Sequence, residues 1–472
     1  MARIVSGIVV LVATGLIMTT AGARHAAAEP DALAALLART DAVAREVARI
    51  RGLPLKQAIP NEVVDRDELR ARLVKMAAED KTAADSAAEG FALARWGMIP
   101  PGTDYEALLV ELLTDQVAGY YDPETKKLTI SRSAGDDPAW AEMVLAHEID
   151  HGLQDQAFDL HRFEDLPSSE GDAATARRAL VEGDGIALMI EVMVERHRAK
   201  VDWANPEIAL AIEKTMSAPG LGGDSLDRAP LAIREGLLFP YRAGFGFIAA
   251  LRRRQPWTAV DAAFARPPQS TEQILHPERY LADDAPIAVE ARAPAVLRGF
   301  SIAHSTVWGE LGFALWLRSH GVDEHAANQA AAGWGGDRAI VLARPGDRRP
   351  DRAVAILRTE WDSEVDAIEA AEAAGKALAA SVIGGTVERT GTRMRLAGLD
   401  GTVSWLERRG AALVIVLGAP AWSAAALGRE VWTATGVAAP GVAAPAAPAS
   451  PAPASPSPAP AAPAAAAPVP SP

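Results

Sequence analysis

Apolar residues recur every three or four positions early in the chain, as in Ala32-Leu33-Leu36-Leu37 and Val43-Val47-Ile50. This spacing predicts two or three helices between about Asp31 and Trp96. The pattern changes at Gly119-Tyr120-Tyr121-Asp122-Pro123-Glu124-Thr125-Lys126-Lys127-Leu128-Thr129-Ile130-Ser131. Two β-leaning runs flank a turn-forming Asp-Pro segment there, which predicts a hairpin. Asp137-Pro138 then supplies an N-cap and a first helical residue for a helix through Trp140, Met143 and Val144 to about Phe158. A second long helix is predicted from about Asp172 to Arg198, and helical sequence continues to about Leu251. Beyond Gly333, the runs 339–342, 354–357, 403–406 and 412–416 read as strands, with a helix near Ser363–Ala380 between them. A smaller α+β region is therefore expected to close the ordered chain.

The two ends have a different composition. After Met1-Ala2-Arg3, residues 4–23 carry no charge and are rich in aliphatic and small side chains, a secretory leader pattern with cleavage expected after residue 28. No later segment is long and apolar enough to span a bilayer. From about Gly436 onward almost every residue is Ala, Pro, Ser, Val or Gly, and 12 of the 33 prolines follow Ala439. Such a stretch cannot build a core and reads as an extended tail, a spacer or a tether to the cell envelope. The chain is thus expected to comprise a leader (1–28), an N-terminal helical region (29–100), a central domain (101–285), a C-terminal helical then α+β region (286–435) and the tail (436–472).

Charge and cysteine content narrow the chemistry. A net charge of −14 lacks the basic footprint that neutralises phosphates, so nucleic acid is not an expected partner. Cysteine is absent, which excludes disulfides, thiolate metal sites, thiol catalysis and a lipid-modified N-terminal cysteine. Any chemistry must use histidine, carboxylates or hydroxyls.

His147-Glu148-Ile149-Asp150-His151 form H-E-x-x-H inside the first predicted long helix. Four-residue spacing puts both imidazoles on one face, one turn apart, where they can bind a single cation. Zinc suits such a pair, with a third protein ligand and one position left for water, and Glu148 sits beside that water as general base. Val181-Glu182-Gly183-Asp184-Gly185 offers two carboxylates for the third place. Glu182 is in helical phase with Ile186, Met189, Ile190 and Met193, on the apolar stripe. Asp184 points about 200° from it, with Glu191 and Glu195. A buried carboxylate needs a partner or a metal, so Glu182 is the expected ligand and Asp184 is expected to be dispensable for metal binding. Gly183 and Gly185 are expected to let this helix approach the histidine helix closely.

With these residues the sequence resembles the gluzincin-type zinc metallopeptidases, the peptidase MA-like group. Ala146-His147-Glu148 and Gly152-Leu153-Gln154-Asp155-Gln156 look like bacterial secreted members. The resemblance covers about residues 105–200. It implies a zincin-like α+β fold, zinc bound by His147, His151 and Glu182, and water activated by Glu148. Many gluzincins carry an acid four residues after the third ligand, where this chain has Ile186, so the groups that orient the ligands are left unassigned.

Two further segments stand out. Within Pro267–Tyr280, His276 or Tyr280 can supply a donor to a tetrahedral intermediate, although a helix start capped by Ser270 with His276 and Tyr280 as packing residues is the plainer reading. Trp334-Gly335-Gly336-Asp337-Arg338 reads as a turn rather than a nucleotide loop, because no helix with Lys-Ser/Thr follows. The sequence is read as a secreted or periplasmic zinc metallopeptidase acting on peptides or proteins, with the 120–130 hairpin offering an edge strand to an extended substrate. The competing reading is a noncatalytic envelope protein that keeps a zincin scaffold to bind peptides or partner proteins.

Overall fold

The computed structural model describes residues 9–12, 30–78, 80–216, 223–253, 255–382 and 386–438. Apart from residues 9–12, the expected leader lies outside them, as does the tail beyond residue 438. All of the described elements except residue 438 belong to one unit, residues 1–437.

Helices α1 (Pro30–Leu37) and α2 (Thr40–Arg51) follow a short strand β1 (Val9–Val12). Strand β2 (Asn61–Val64) leads into α3 (Arg66–Ala77), α4 (Asp80–Arg95) and α5 (Tyr105–Gln116). The hairpin β3 (Val117–Asp122) and β4 (Lys127–Ser131) comes next, with Tyr120 opposite Thr129. Its turn is held by Asp122, which accepts from the Glu124 amide and the Thr125 hydroxyl. In this four-stranded sheet, ordered β1-β3-β4-β2, β2 lies parallel to β4 and β1 lies antiparallel along the outer edge of β3.

The long helix α6 (Pro138–Phe158) packs against this sheet, and a second long helix, α8 (Gly171–Arg196), packs against α6 after the short α7 (His161–Glu164). The Asp137 carboxylate caps α6 by accepting from the amides of Ala139 and Trp140, and Pro138 fills the first helical position. Every residue of α6 from Val144 to Asp155 is buried, as is every residue of α8 from Ala179 to Ile190. These segments run through the core of the helical layer, so their polar side chains must find partners inside it. Helices α9 (Pro206–Met216), α10 (Gly223–Arg228), α11 (Leu231–Arg252), α12 (Thr258–Ala265), α13 (Thr271–Leu275) and α14 (Pro277–Leu281) complete this layer.

The rest of the chain builds a second layer. Strand β5 (Val289–Ala291) precedes β6 (Ser301–Thr306), α15 (Gly309–Ser319), α16 (Glu324–Ala331), β7 (Trp334–Ala343), β8 (Val354–Trp361) and α17 (Glu364–Ser381). Then come β9 (Thr386–Thr390), β10 (Arg393–Ala397), β11 (Thr402–Arg409), β12 (Ala412–Pro420), α18 (Ala421–Ala434) and β13 (Thr435–Val437), which pairs with β5. Seven strands form one antiparallel sheet in the order β6-β7-β8-β12-β11-β10-β9. Alternation assigns its faces. Ala339, Val341, Leu413 and Ile415 pack with α15 and α17, while Ile340, Leu342, Val414 and Val416 pack with α18. The molecule is thus mixed α+β, and among the described residues no helix is long and apolar enough to cross a membrane.

The segment Trp334–Arg338, expected as a turn, is the start of β7. Its two glycines are used for close approach rather than for a bend: a Cβ on Gly336 would lie 2.0 Å from the Ile287 carbonyl. A bulge between Trp334 and Gly336 lets the strand continue past this contact.

Candidate metal centre

The buried stretches of α6 and α8 meet at three donor atoms. His147 Nε2 lies 2.9 Å from His151 Nε2 and 3.2 Å from Glu182 Oε2, and His151 Nε2 lies 3.6 Å from the same oxygen. All three side chains are buried, and among the described residues this is the one group of histidine and acidic side chains whose donor atoms gather tightly enough to hold a metal ion. Helix α8 is continuous through Gly183 and Gly185, so the phase relation that singled out Glu182 applies. Burial, followed by the neighbouring His151, holds the His147 imidazole below its ordinary pKa, which favours the neutral form that ligates. Burial pushes the Glu182 carboxyl up, but the neighbouring imidazoles, His147 first, outweigh it and hold the group at about 2. Glu148, between the two histidines in sequence, is itself fully buried.

Gly183 and Gly185 serve two different contacts. A Cβ on Gly185 would lie 2.6 Å from His147 Cε1, so the missing side chain makes room for the imidazole. A Cβ on Gly183 would lie 2.2 Å from the Gly244 backbone. Gly183 therefore admits α11, not the histidine helix.

The far side of His151 is also occupied. Its Nδ1 lies 2.9 Å from Gln154 Oε1, and Gln154 Nε2 donates to Asp150 Oδ2 and Asp184 Oδ2, both at 2.9 Å, and to the Val181 carbonyl at 3.2 Å. Asp184 is held in turn by Arg51 Nε, at 2.9 and 3.1 Å from its two oxygens, and Arg51 Nη1 reaches Asp261 at 2.8 Å. Asp184 therefore does not share an outer face with Glu195: it is as buried as Glu182 and two hydrogen bonds from a candidate ligand. Burial raises the pKa of Asp150 and, with Arg51 and Gln154 opposing, that of Asp184. Gln154 was detectable in the sequence, three residues after His151 on one helix. Arg51 had no local signal.

A cavity of about 160 Å³ lies along the first turns of α8. Asp172, Thr175 and Arg178 line it, and Glu182 continues the same stripe of α8 one turn further on. Trp96, from the residue after α4, and Trp308, at the start of α15, form an aromatic wall with ring centroids 4.7 Å apart.

A family model described as a domain of unknown function, DUF8575, matches residues 298–427. That span contains β6 to β12 with α15 to α17 and ends within α18, so it takes in one wall of the cavity and none of the three donors. No curated protein and no solved structure matches the chain.

The structure does not bring His276 into the group of three. Its Nε2 lies 3.0 Å from Glu310 Oε1 on α15, and this hydrogen bond raises the imidazole pKa. Ser270 caps α13 by accepting from the Gln273 amide, and the Tyr280 hydroxyl donates to the Arg266 carbonyl. This segment instead ties the two layers together. Thr271 donates its amide and hydroxyl to the buried Asp172, while its hydroxyl oxygen accepts from the Leu311 amide. Tyr121, on the hairpin, donates to Asp155 of α6 at 2.8 Å.

Proposed function

We propose that this protein is a secreted zinc-dependent peptidase of the gluzincin kind, with a zincin-like helical layer. The observation that carries the reading is the convergence of His147, His151 and Glu182 on one buried point, with Glu148 on the same helix as the two histidines. Tetrahedral zinc with bonds of about 2.0–2.1 Å needs ligand atoms about 3.3 Å apart. The three separations, 2.9, 3.2 and 3.6 Å, bracket that value. Two neutral imidazoles and one carboxylate are donors that suit zinc and leave a fourth position open.

Bound there, zinc supplies Lewis-acid polarisation of the scissile carbonyl and acidifies water. Glu148 takes the proton from the attacking water and passes it to the leaving amine. The outer edge of β3 offers main-chain groups to an extended peptide. Residues 9–12 of this chain lie antiparallel along that edge, with Val10 opposite Tyr120, so an extended backbone pairs there. Loss of the leader at residue 28 would free the edge for substrate.

The test is Glu148→Gln, whose amide nearly matches the carboxylate in shape but cannot take a proton. Zinc content and thermal stability should match wild type, and hydrolysis of a peptide library should fall by a factor of 100 or more, an order of magnitude set by general-base catalysis. Equal turnover by the two proteins would exclude Glu148 as base. Peptide binding without hydrolysis in a zinc-loaded wild type would favour the noncatalytic scaffold.

A further inference from the structure

The groups behind His151 form a directed chain. The amide of Gln154 has a donor end and an acceptor end, and three acceptors surround Nε2: Asp150, Asp184 and the Val181 carbonyl. A carboxylate or a carbonyl only accepts, so the NH₂ must face them and Oε1 must face the imidazole. An amide oxygen only accepts as well. His151 Nδ1, 2.9 Å away, must therefore carry the ring proton. Its Nε2 is then the atom with the free lone pair, and that is the atom pointing at His147 and Glu182.

Asp184 is an anchor of this chain and cannot stand in the interior alone. Arg51 supplies its partner, with Nε against both carboxylate oxygens and a side chain that is 0% exposed. The guanidinium is fixed independently by Asp261 and by Trp257, whose ring centroid is 4.5 Å from Cζ. Its position follows from the end of a helix. Arg51 is the last residue of α2, and Gly52 at φ +82 closes that helix by returning its amide to the Ala48 carbonyl. Val43 and Val47 on the same helix are buried in the common core.

We propose that Arg51 is a positioning residue of the metal centre, acting through Asp184 and Gln154 to set the tautomer and orientation of His151. The proposal rests on the reading of the three donors as a metal site. It makes helix α2 a fixed part of the centre rather than a removable inhibitory segment, although α2 begins only twelve residues after the expected leader cleavage.

The test uses the full chain with Arg51→Lys, Asp184→Asn and Gln154→Met, and Arg49→Ala as a control. Arg49 lies on the same helix but pairs with Glu195 at the surface. Zinc affinity is measured by chelator competition, the His151 tautomer by long-range ¹⁵N NMR of the metal-free protein, and folding by thermal unfolding. Gln154→Met and Asp184→Asn should weaken zinc binding 10- to 100-fold, the range for groups that orient metal ligands. Arg51→Lys should weaken it about tenfold, because an ammonium keeps the charge but not the fork. In all three, the His151 ring should lose its single Nδ1–H form, and Arg49→Ala should change nothing. If Arg51→Lys does not fold, Arg51→Met combined with Asp184→Asn, which removes both charges, takes its place with the same expected readouts. Lower stability with unchanged zinc affinity and tautomer would make Arg51 merely structural and overturn the proposal alone. A wild type that takes up no zinc would overturn the metal reading and this proposal with it.

Discussion

Gly185→Ala adds one methyl group to the inner face of α8, against the ring of His147. The new carbon would lie 2.6 Å from Cε1 and 2.7 Å from Nδ1, so the ring must retreat by about 0.8 Å to regain the 3.4 Å of ordinary contact. Metal sites hold their ligand distances to within about 0.2 Å, so the displacement is roughly four times what the centre tolerates. Folding is affected much less. Alanine in a helix interior gains about 1 kcal/mol over glycine, and crowding a packed interior costs about 1–3 kcal/mol, leaving a net loss of about 0–2 kcal/mol. Zinc affinity should therefore fall at least tenfold, comparable to the loss of an orienting group, while the metal-free protein still unfolds cooperatively within a few degrees of wild type. Chelator competition gives the first quantity and thermal unfolding in EDTA the second. Wild-type zinc affinity in Gly185→Ala would show that His147 Nε2 does not bind the metal in the position described.

Gly183→Ala should do the opposite: its methyl meets the Gly244 backbone at 2.2 Å, backbone cannot yield as a side chain can, and stability should fall by about 3 kcal/mol as α8 and α11 separate; an unchanged melting temperature would exclude that contact. Glu182→Ala should weaken zinc binding by more than about 100-fold, exceeding the effect of any orienting residue, and equal losses in Glu182→Ala and Asp184→Asn would leave the ligand assignment without support. Stability of the metal-free protein should fall as pH rises from about 6.5 to about 8. The buried histidines with lowered pKa, His147, His304 and His320, oppose this, because their unfolded forms release their last half proton between pH 6.5 and about 7.5, a gain of a few tenths of a kcal/mol each. Burial pushes Asp172 to about 7 and Glu272 to about 8, so the folded chain still holds protons that the unfolded chain has released, and His276, raised by Glu310, acts in the same direction. The expected loss is about 1–2 kcal/mol, or about 1–2 °C, and a melting temperature that is flat or rising across this window would refute it.

Local sequence determined the elements that carry the candidate site. Asp137-Pro138 started α6 through a side-chain cap and a preset φ, and the four-residue spacing of His147 and His151 fixed a shared helical face before any tertiary contact was known. Helical phase separated Glu182 from Asp184 because α8 is unbroken, and short continuous apolar runs rich in Val and Ile gave the strands in β7, β8 and β12. These features depend on neighbours within a few residues, so a one-dimensional pattern contains them. The seven-stranded order, the parallel pairing of β2 with β4 and the strand start at Trp334 depend on which distant surfaces are pressed together. The same holds for Asp184. Helical phase placed it away from Glu182, but not what lay on that side, and only the packing of α2 against α6 and α8 supplied Arg51 and turned an apparent outer face into a buried polar network. An interior carboxylate requires a partner of opposite charge, and the chain found one 133 residues away because burial, which drives the packing, acts on surfaces without regard to their separation in sequence.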